Sequence, residues 1–321
     1  MKAIRIHERG TTDVMKLEEL KTPAPGEGEV LIKVEVAGVN YSDVGQRKGN
    51  YPNLVELPTT LGNEVGGTIV ARGPNVLSPA EGTRVVSLVD GGYAEYALAP
   101  ASAVIPLPDE VSFAQATMIP IQGQTAYLLL NKAGQLQKGE RLLIHAASGG
   151  VGSLAIQLAK LMGAGMIIGT ANKPDKLEFI RGLGVDAAIN TNDGDWVEQV
   201  MQATGGQGVN LVLESIGGGV GQQTIGCLAL EGRMIVFGSL SDEPTAFFTQ
   251  MLIGKCLTVR GYNTVVQSPE DKMRASQALL RYMAAGQLQV FVERTFPLAD
   301  AALAHQAIEA GITRGKVVLT V

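Results

Sequence analysis

The chain has 321 residues, 45% of them hydrophobic and 18% charged, the composition of a soluble globular protein. At roughly 100–200 residues per domain, this length predicts about two domains, each able to bury its own core. The 26 Lys and Arg against 31 Asp and Glu leave a net charge of −5, which excludes a basic field for nucleic acid or an anionic membrane. Forty glycines and only 5% aromatics point to tight turns and close backbone approaches, not stacking platforms.

The longest charge-free stretch, 111–131, contains Gln115, Pro120, Gln122, Gly123 and Gln124 and makes a poor membrane span. The N-terminal residues alternate charged with apolar side chains and read as an edge strand, not an export signal. Cys227 and Cys256 lie in apolar surroundings without a CxxC spacing. Buried free thiols in a reducing cytoplasm fit that pattern, with a lone disulfide between the two as the alternative; a disulfide framework and a cysteine-rich zinc lobe are excluded.

In chain order, residues 1–120 are strand-rich and heavily punctuated by Gly and Pro. The run 29–36 alternates at period two, and 84–89 and 93–98 read as further short strands. This half predicts an irregular β domain. From residue 121 the rhythm changes: helix 125–132, strand 141–145, helix 150–162, strand 166–170, helix 173–183, strand 187–190, helix 196–204, then strands 211–214, 233–237 and 257–261. Strands alternating with helices predict βαβ units, and six such strands predict a doubly wound parallel sheet in an α/β fold. Two amphipathic helices, 274–286 and 299–309, and a strand at 316–320 end the chain. We expect residues 1–120 to form the first domain, 121–260 the nucleotide-binding domain, and 261–321 to return to the first.

The strongest chemical signal is Ala146-Ala147-Ser148-Gly149-Gly150-Val151-Gly152, between a buried strand and a helix. It matches G-x-G-x-x-G with Ala147 in place of the first glycine. Bare backbone at such a loop lets a pyrophosphate approach, and the N–H groups of the helix's first turn point at its oxygens. An NAD site carries an acid about 20 residues further on, for the ribose 2′-hydroxyl. Here the second strand ends Gly169-Thr170-Ala171-Asn172-Lys173-Pro174-Asp175-Lys176, with no acid at its tip. Asp175 follows Pro174 and suits a helix first turn, while Lys173 and Lys176 can neutralise a 2′-phosphate. Thr170, Lys173 and Lys176 are therefore candidate cofactor residues, and NADPH is favoured over NADH.

Further motifs, in order, are Ala37-Gly38-Val39-Asn40-Tyr41-Ser42-Asp43, Gly49-Asn50-Tyr51-Pro52, Leu61-Gly62-Asn63-Glu64, Gln124-Thr125-Ala126-Tyr127 and Gly315-Lys316-Val317-Val318-Leu319. Together with the glycine loop they resemble the medium-chain dehydrogenase/reductase superfamily, and within it the zinc-independent quinone oxidoreductases that include zeta-crystallin. The resemblance spans essentially the whole chain. It implies a Rossmann dinucleotide-binding domain beside a mainly β, GroES-like catalytic domain, a homodimer through the 257–261 edge strand, and NADPH as hydride donor. It also implies that Asn40 lies beside nicotinamide and substrate, and that Thr125, Phe237, Gly238, Ser239 and Lys316 lie on the cofactor side.

Where the zinc-dependent branch carries a cysteine and a histidine, this chain has Asn40 and Asn63. Amides are poor Zn²⁺ ligands beside thiolate or imidazole, and His7, His145 and His305 are far apart in sequence. His145 reads as a packing residue. Without a Lewis acid, a nicotinamide site suits hydride delivery to an already electron-poor carbon, such as a quinone or an α,β-unsaturated carbonyl. The expected partner is thus a small electrophile, with no nucleic acid or membrane. In the enoyl-thioester reductase branch a tyrosine in a similar G-x-Y segment donates a proton after hydride addition, which makes Tyr51 a second catalytic candidate beside Asn40. An enoyl-thioester reductase is one alternative, and a non-catalytic NADPH-binding protein is another. Asp43 and Glu64 are expected to brace the site through backbone hydrogen bonds. The chain departs from the family at Gly45 and Thr191, where relatives often carry an aromatic or histidine, and at Gly311, with Arg314 close by.

Overall fold

In the computed structural model, which describes residues 1–51, 54–241 and 243–321, the chain forms two compact units. One comprises Met1–Ile121 and Leu280–Val321, the other Gln122–Leu279. No described helix is long and apolar enough to cross a membrane.

The first unit is built on the strand Glu29–Val39, whose period-two pattern lets it pair along its length. Strand Glu64–Arg72 joins it on one side, and Lys316–Thr320 and Tyr96–Pro100 pair with it antiparallel along different stretches. Val292–Pro297, Arg84–Leu88 and Ile105–Pro106 complete a seven-stranded sheet. The C-terminal strand therefore does return to this unit. Its core gathers Ile32, Ile69, Val85, Tyr93 and Leu319, all at most 1% exposed.

The N-terminal strand Lys2–Ile6 departs from expectation. It is not an edge but the middle of a three-stranded sheet, between Lys16–Glu19 and Thr59–Thr60. Arg5 pairs across strands with Glu18, and the Lys2 backbone N–H donates to the Glu95 carboxylate.

The second unit holds a six-stranded, wholly parallel sheet. Its strand order is Ala187–Asn190, Met166–Ala171, Arg141–Ile144, Val209–Glu214, Leu228–Val236, Thr258–Gly261. The order reverses between the third and fourth of these, Arg141–Ile144 and Val209–Glu214, and the crevice at such a switch point is where doubly wound sheets bind ligands. The inner strands are nearly continuous runs of buried Leu, Ile and Val, as covered parallel strands must be.

Two helices also differ from the sequence reading. The expected helix 125–132 is an α-helical turn, Gln124–Leu128, between two π-type segments, Ile119–Gly123 and Leu129–Ala133. Pro120 removes a donor there, and Gly134 N–H reaches back five residues to Leu129 O at 2.8 Å. The tail helix starts at Pro269, not 274, because Ser268 Oγ caps it, accepting from the Asp271 N–H at 3.2 Å. The chain leaves the second unit inside that helix, after Leu279, rather than at 260. Residues 262–279 are tied to the second unit by Tyr262 N–H to Val236 O, Gln124 to Ser276, and Lys132 to Asp271. The cysteines are free, Cys227 buried as expected and Cys256 exposed.

Candidate functional site

The glycine loop crowns the strand Arg141–Ile144 and opens the helix Gly150–Leu161. Ala146 turns the chain at φ +47°, a left-handed conformation that costs a non-glycine residue about 1–2 kcal/mol. Ala147 N–H then bonds Thr170 O at 2.9 Å, pinning the loop to the second strand. Gly149 is the open position, since a Cβ there would meet only Ala146 O, at 3.3 Å. At Gly152 a Cβ would stand 2.6 Å from Ala146 O and Ala147 Cα, so only glycine lets the helix pack this close. At Gly150 a Cβ would overlap the Gln122 amide, a neighbour the sequence did not flag. Ser153 N–H is the first to close onto Gly149 O, which leaves the N–H groups of Gly150, Val151 and Gly152 at the helix mouth beside buried Ser148. This bare cradle with convergent donors fits a dinucleotide pyrophosphate.

At the tip of the second strand Lys173 is the N-cap of helix Pro174–Gly182, and Lys176 lies in its first turn with Asp175. Both lysines are half-buried. Phe237 and Gly238 follow the fifth strand and meet the end of the fourth: Phe237 N–H donates to Glu214 O at 2.9 Å, and a Cβ on Gly238 would lie 3.2 Å from Ser215 Cβ. Ser239 is exposed and donates to Ser241 O. Thr125 Oγ1 shares a 2.5 Å hydrogen bond with Thr264 Oγ1.

Thr170 does not present its hydroxyl to a ligand. It is 1% exposed and bonds His145 Nδ1 at 2.9 Å. Thr224 gives its own hydrogen to Val220 O, so its oxygen accepts from His145 Nε2–H at 2.9 Å. Burial depresses the imidazole to about 4, so His145 is neutral, protonated on Nε2, and accepts the Thr170 hydrogen on Nδ1. Its ring edge also meets Trp196. His145 thus packs as expected and in addition ties the end of strand Arg141–Ile144 to strand Met166–Ala171 and to helix Gly218–Thr224. Glu214, which the sequence did not mark, closes the fourth strand: its Oε1 accepts from Ile216 and Gly217 N–H at 2.7 and 3.0 Å. Burial raises that carboxyl against those bonds.

In the first unit, a separate buried polar cluster gathers residues far apart in sequence. Asn40, 4% exposed, ends the long strand and caps helix Tyr41–Lys48. Its Nδ2 donates to Glu64 Oε1 at 2.8 Å, and its Oδ1 accepts from Lys316 Nζ at 3.3 Å. Lys316 and Glu64 form an ion pair with no surface exposed on either. Lys316, expected on the cofactor side, therefore turns inward, and Glu64 braces the site through side chains instead of backbone. Asp43 behaves as expected in part, accepting the Asn40 N–H at 2.8 Å. It also accepts Asn63 Nδ2–H at 2.8 Å and the Tyr93 hydroxyl at 3.0 Å. Burial, and then the Glu64 charge, push Asp43 up to about 7 against the Asn40 N–H bond.

Tyr93 spends its hydrogen on Asp43, so its oxygen accepts from His305 Nε2–H at 3.1 Å. Burial holds His305 neutral, down to about 3. No sequence signal marked Tyr93 or His305. Tyr51 is half-buried, and its ring lies over Gly45, where a Cβ would meet it at 3.2 Å. That contact accounts for the departure at 45: the ring takes the space a side chain there would need. Burial and the Asp43 charge raise the Tyr51 phenol, which keeps its proton. Pro52 of that motif lies outside the described residues.

Residues 26–109 match the family described as alcohol dehydrogenase GroES-like domain, and residues 150–280 match that described as zinc-binding dehydrogenase. The chain is 32% identical to quinone oxidoreductase 1 of Escherichia coli (strain K12), over 98% of each chain. It is also 32% identical to a 2-haloacrylate reductase of a Burkholderia species, covering 98% of this chain and 97% of the relative. At 31% identity, 99% of it matches part of a phenolphthiocerol/phthiocerol polyketide synthase of Mycobacterium tuberculosis, a much longer chain of which it spans only 15%. The solved Escherichia coli quinone oxidoreductase in complex with NADPH superposes with a TM-score of 0.94 at 32% identity, over the full length of both chains.

Proposed function

Because this chain belongs to the zeta-crystallin-like quinone oxidoreductase family of medium-chain dehydrogenases/reductases, we propose that it is an NADPH-dependent reductase of quinones or activated C=C bonds, working without zinc. The observation that carries this reading is the state of Asn40 and Asn63. Each directs an amide N–H at a carboxylate, Glu64 and Asp43 respectively, and an amide is a poor zinc ligand beside thiolate or imidazole.

NADPH would be held by the glycine cradle, with Ser148, Gly149, Gly150, Val151 and Gly152 taking its pyrophosphate at the mouth of helix Gly150–Leu161 and Lys173 and Lys176, at the start of helix Pro174–Gly182, taking its 2′-phosphate. Phe237, Gly238, Ser239 and Thr125 complete the cofactor side. When bound, NADPH supplies a hydride from its nicotinamide. The protein's part on the acceptor is to hold its oxygen and to deliver a proton. Asn40 Nδ2 has a second hydrogen beyond the one given to Glu64, and it stabilises the charge that hydride addition leaves on the acceptor oxygen. Tyr51, protonated and half-buried, is the proton donor, a role it would share with an enoyl-thioester reductase. The 2-haloacrylate reductase among the relatives supports an activated C=C as acceptor.

The edge strand Thr258–Gly261, which among the described residues has no strand on its outer side, supports a homodimer through that edge, as do Phe248 and Ile253, 67% and 74% exposed at the N-cap and inside the preceding helix Thr249–Gly254. The deciding experiment follows loss of NADPH absorbance by metal-stripped protein with a 1,4-quinone, a 2-enal, a cyclic enone and crotonyl-CoA. Turnover of the quinone, enal or enone is expected. Preference for the thioester would reassign the enzyme, and bound NADPH with no turnover would overturn the reading.

A further inference from the structure

Glutamate 64 and lysine 316 carry an inference that rests on the function proposed above. The side-chain amide of asparagine has an oxygen and a nitrogen of nearly equal size, and packing alone does not decide which points where. In the first unit the decision is made by charge. Oδ1 of Asn40 faces the Lys316 ammonium at 3.3 Å, and Nδ2 faces the Glu64 carboxylate at 2.8 Å. Turned over, the amide would set its N–H groups against the ammonium and its oxygen against the carboxylate, two repulsive contacts with charges that have no surface exposed to solvent. The two charges also neutralise each other through their own ion pair, so neither is left alone in the interior. Gly38 makes room for this arrangement, since a Cβ there would overlap the Glu64 carboxyl.

We infer that Glu64 and Lys316 are positioning residues that lock the Asn40 amide in the one orientation presenting Nδ2–H, a donor, to the acceptor oxygen. The donor is what the reaction needs. Hydride addition to an enone or quinone places negative charge on oxygen, which an N–H stabilises and a carbonyl oxygen repels. Lys316 contributes without touching substrate: its charge on Oδ1 polarises the amide and strengthens the N–H at the other end.

The test uses the full-length protein as wild type, Asn40→Ser, Lys316→Met, Glu64→Gln and the double variant Glu64→Gln/Lys316→Met. Single variants leave one buried charge alone and can unfold; the double variant leaves none and is the decisive one. Three quantities are read: the ¹⁵N-resolved side-chain NH₂ pair of Asn40, assigned by its loss in Asn40→Ser; NADPH affinity by fluorescence; and kcat with a cyclic enone. In wild type the Asn40 pair is expected sharp, with its two protons well separated. In the folded double variant the pair should shift or broaden and kcat should fall roughly 100- to 1,000-fold, with NADPH affinity within about twofold of wild type. Recovery of wild-type kcat in the double variant, or an Asn40 pair that does not move, would overturn the inference and leave the ion pair a packing element. Wild type inactive with every acceptor would instead sink the proposed function, and the amide signal alone would then decide whether the pair orients Asn40.

Discussion

Glu64 lies directly over Gly38, so that its carboxyl occupies the space where any Cβ at position 38 would project. The two are brought together by the pairing of their strands, in which Ala37 stands opposite Val65. Gly38→Ala should therefore displace a buried, ion-paired carboxylate. Overpacking of this kind typically costs about 1–3 kcal/mol. Urea unfolding should show that loss, together with a fall in enone turnover; unchanged stability would mean that the strand pair yields more easily than its geometry implies.

A second prediction concerns the phosphate discrimination. A charge-assisted hydrogen bond contributes roughly 1.5–3 kcal/mol, which corresponds to about 10- to 100-fold in affinity. Lys176→Ala should weaken NADPH by that factor and leave NADH nearly unchanged, as read by fluorescence titration. Equal losses for both cofactors would remove Lys176 from the 2′-phosphate.

Asp43 makes stability depend on pH. Its carboxyl is raised in the folded protein to about 7, so the folded state holds a proton that the unfolded chain has already released. The contribution is complete below the ordinary carboxylate range and is lost as pH rises through about 7. His145 and His305 act in the opposite sense. Their folded values, about 4 and about 3, make them stabilising above the ordinary histidine range, and that contribution is lost as pH falls through those values. Asp43→Asn should flatten the decline in urea midpoint between about pH 4 and pH 7. An unchanged slope would assign the decline to other groups.

The two hydroxyls gripped by His145 supply a fourth test. His145→Leu leaves Thr170 without an acceptor for its hydrogen and Thr224 without a donor. Unsatisfied buried groups of this kind cost about 1–3 kcal/mol each. Thermal unfolding should register a marked drop. NADPH affinity at a temperature where the variant is folded should stay within about twofold, because the ring touches the loop's supporting strand and not the cradle.

Metal removal is the fifth. Exhaustive treatment with a chelator should leave NADPH-dependent turnover intact, since the amides of Asn40 and Asn63 are poor zinc ligands beside thiolate or imidazole. Inactivation reversed by added Zn²⁺ would overturn the zinc-free reading.

What the residues declare by themselves is local and periodic. The helix mouth at Gly149 to Gly152, the six strands of the sheet and Asp175 after Pro174 are all legible, because each depends on a few neighbours or a spacing of two or 3.6, whereas Asn40 and Asn63 stand out only through the family resemblance. Element ends were harder where a cap decided them, as at Ser268.

Tertiary structure decided everything that depends on which distant side chains share a pocket. Sequence alone pairs no partner with Lys316, 252 residues from Glu64, or with His305, 212 residues from Tyr93. Nor does it show that Thr170 spends its hydroxyl on His145. Desolvation forces buried polar groups to satisfy one another, and the sheet registers choose which ones meet. The type of each site residue was therefore written in the chain, but the direction in which it points was set only by folding.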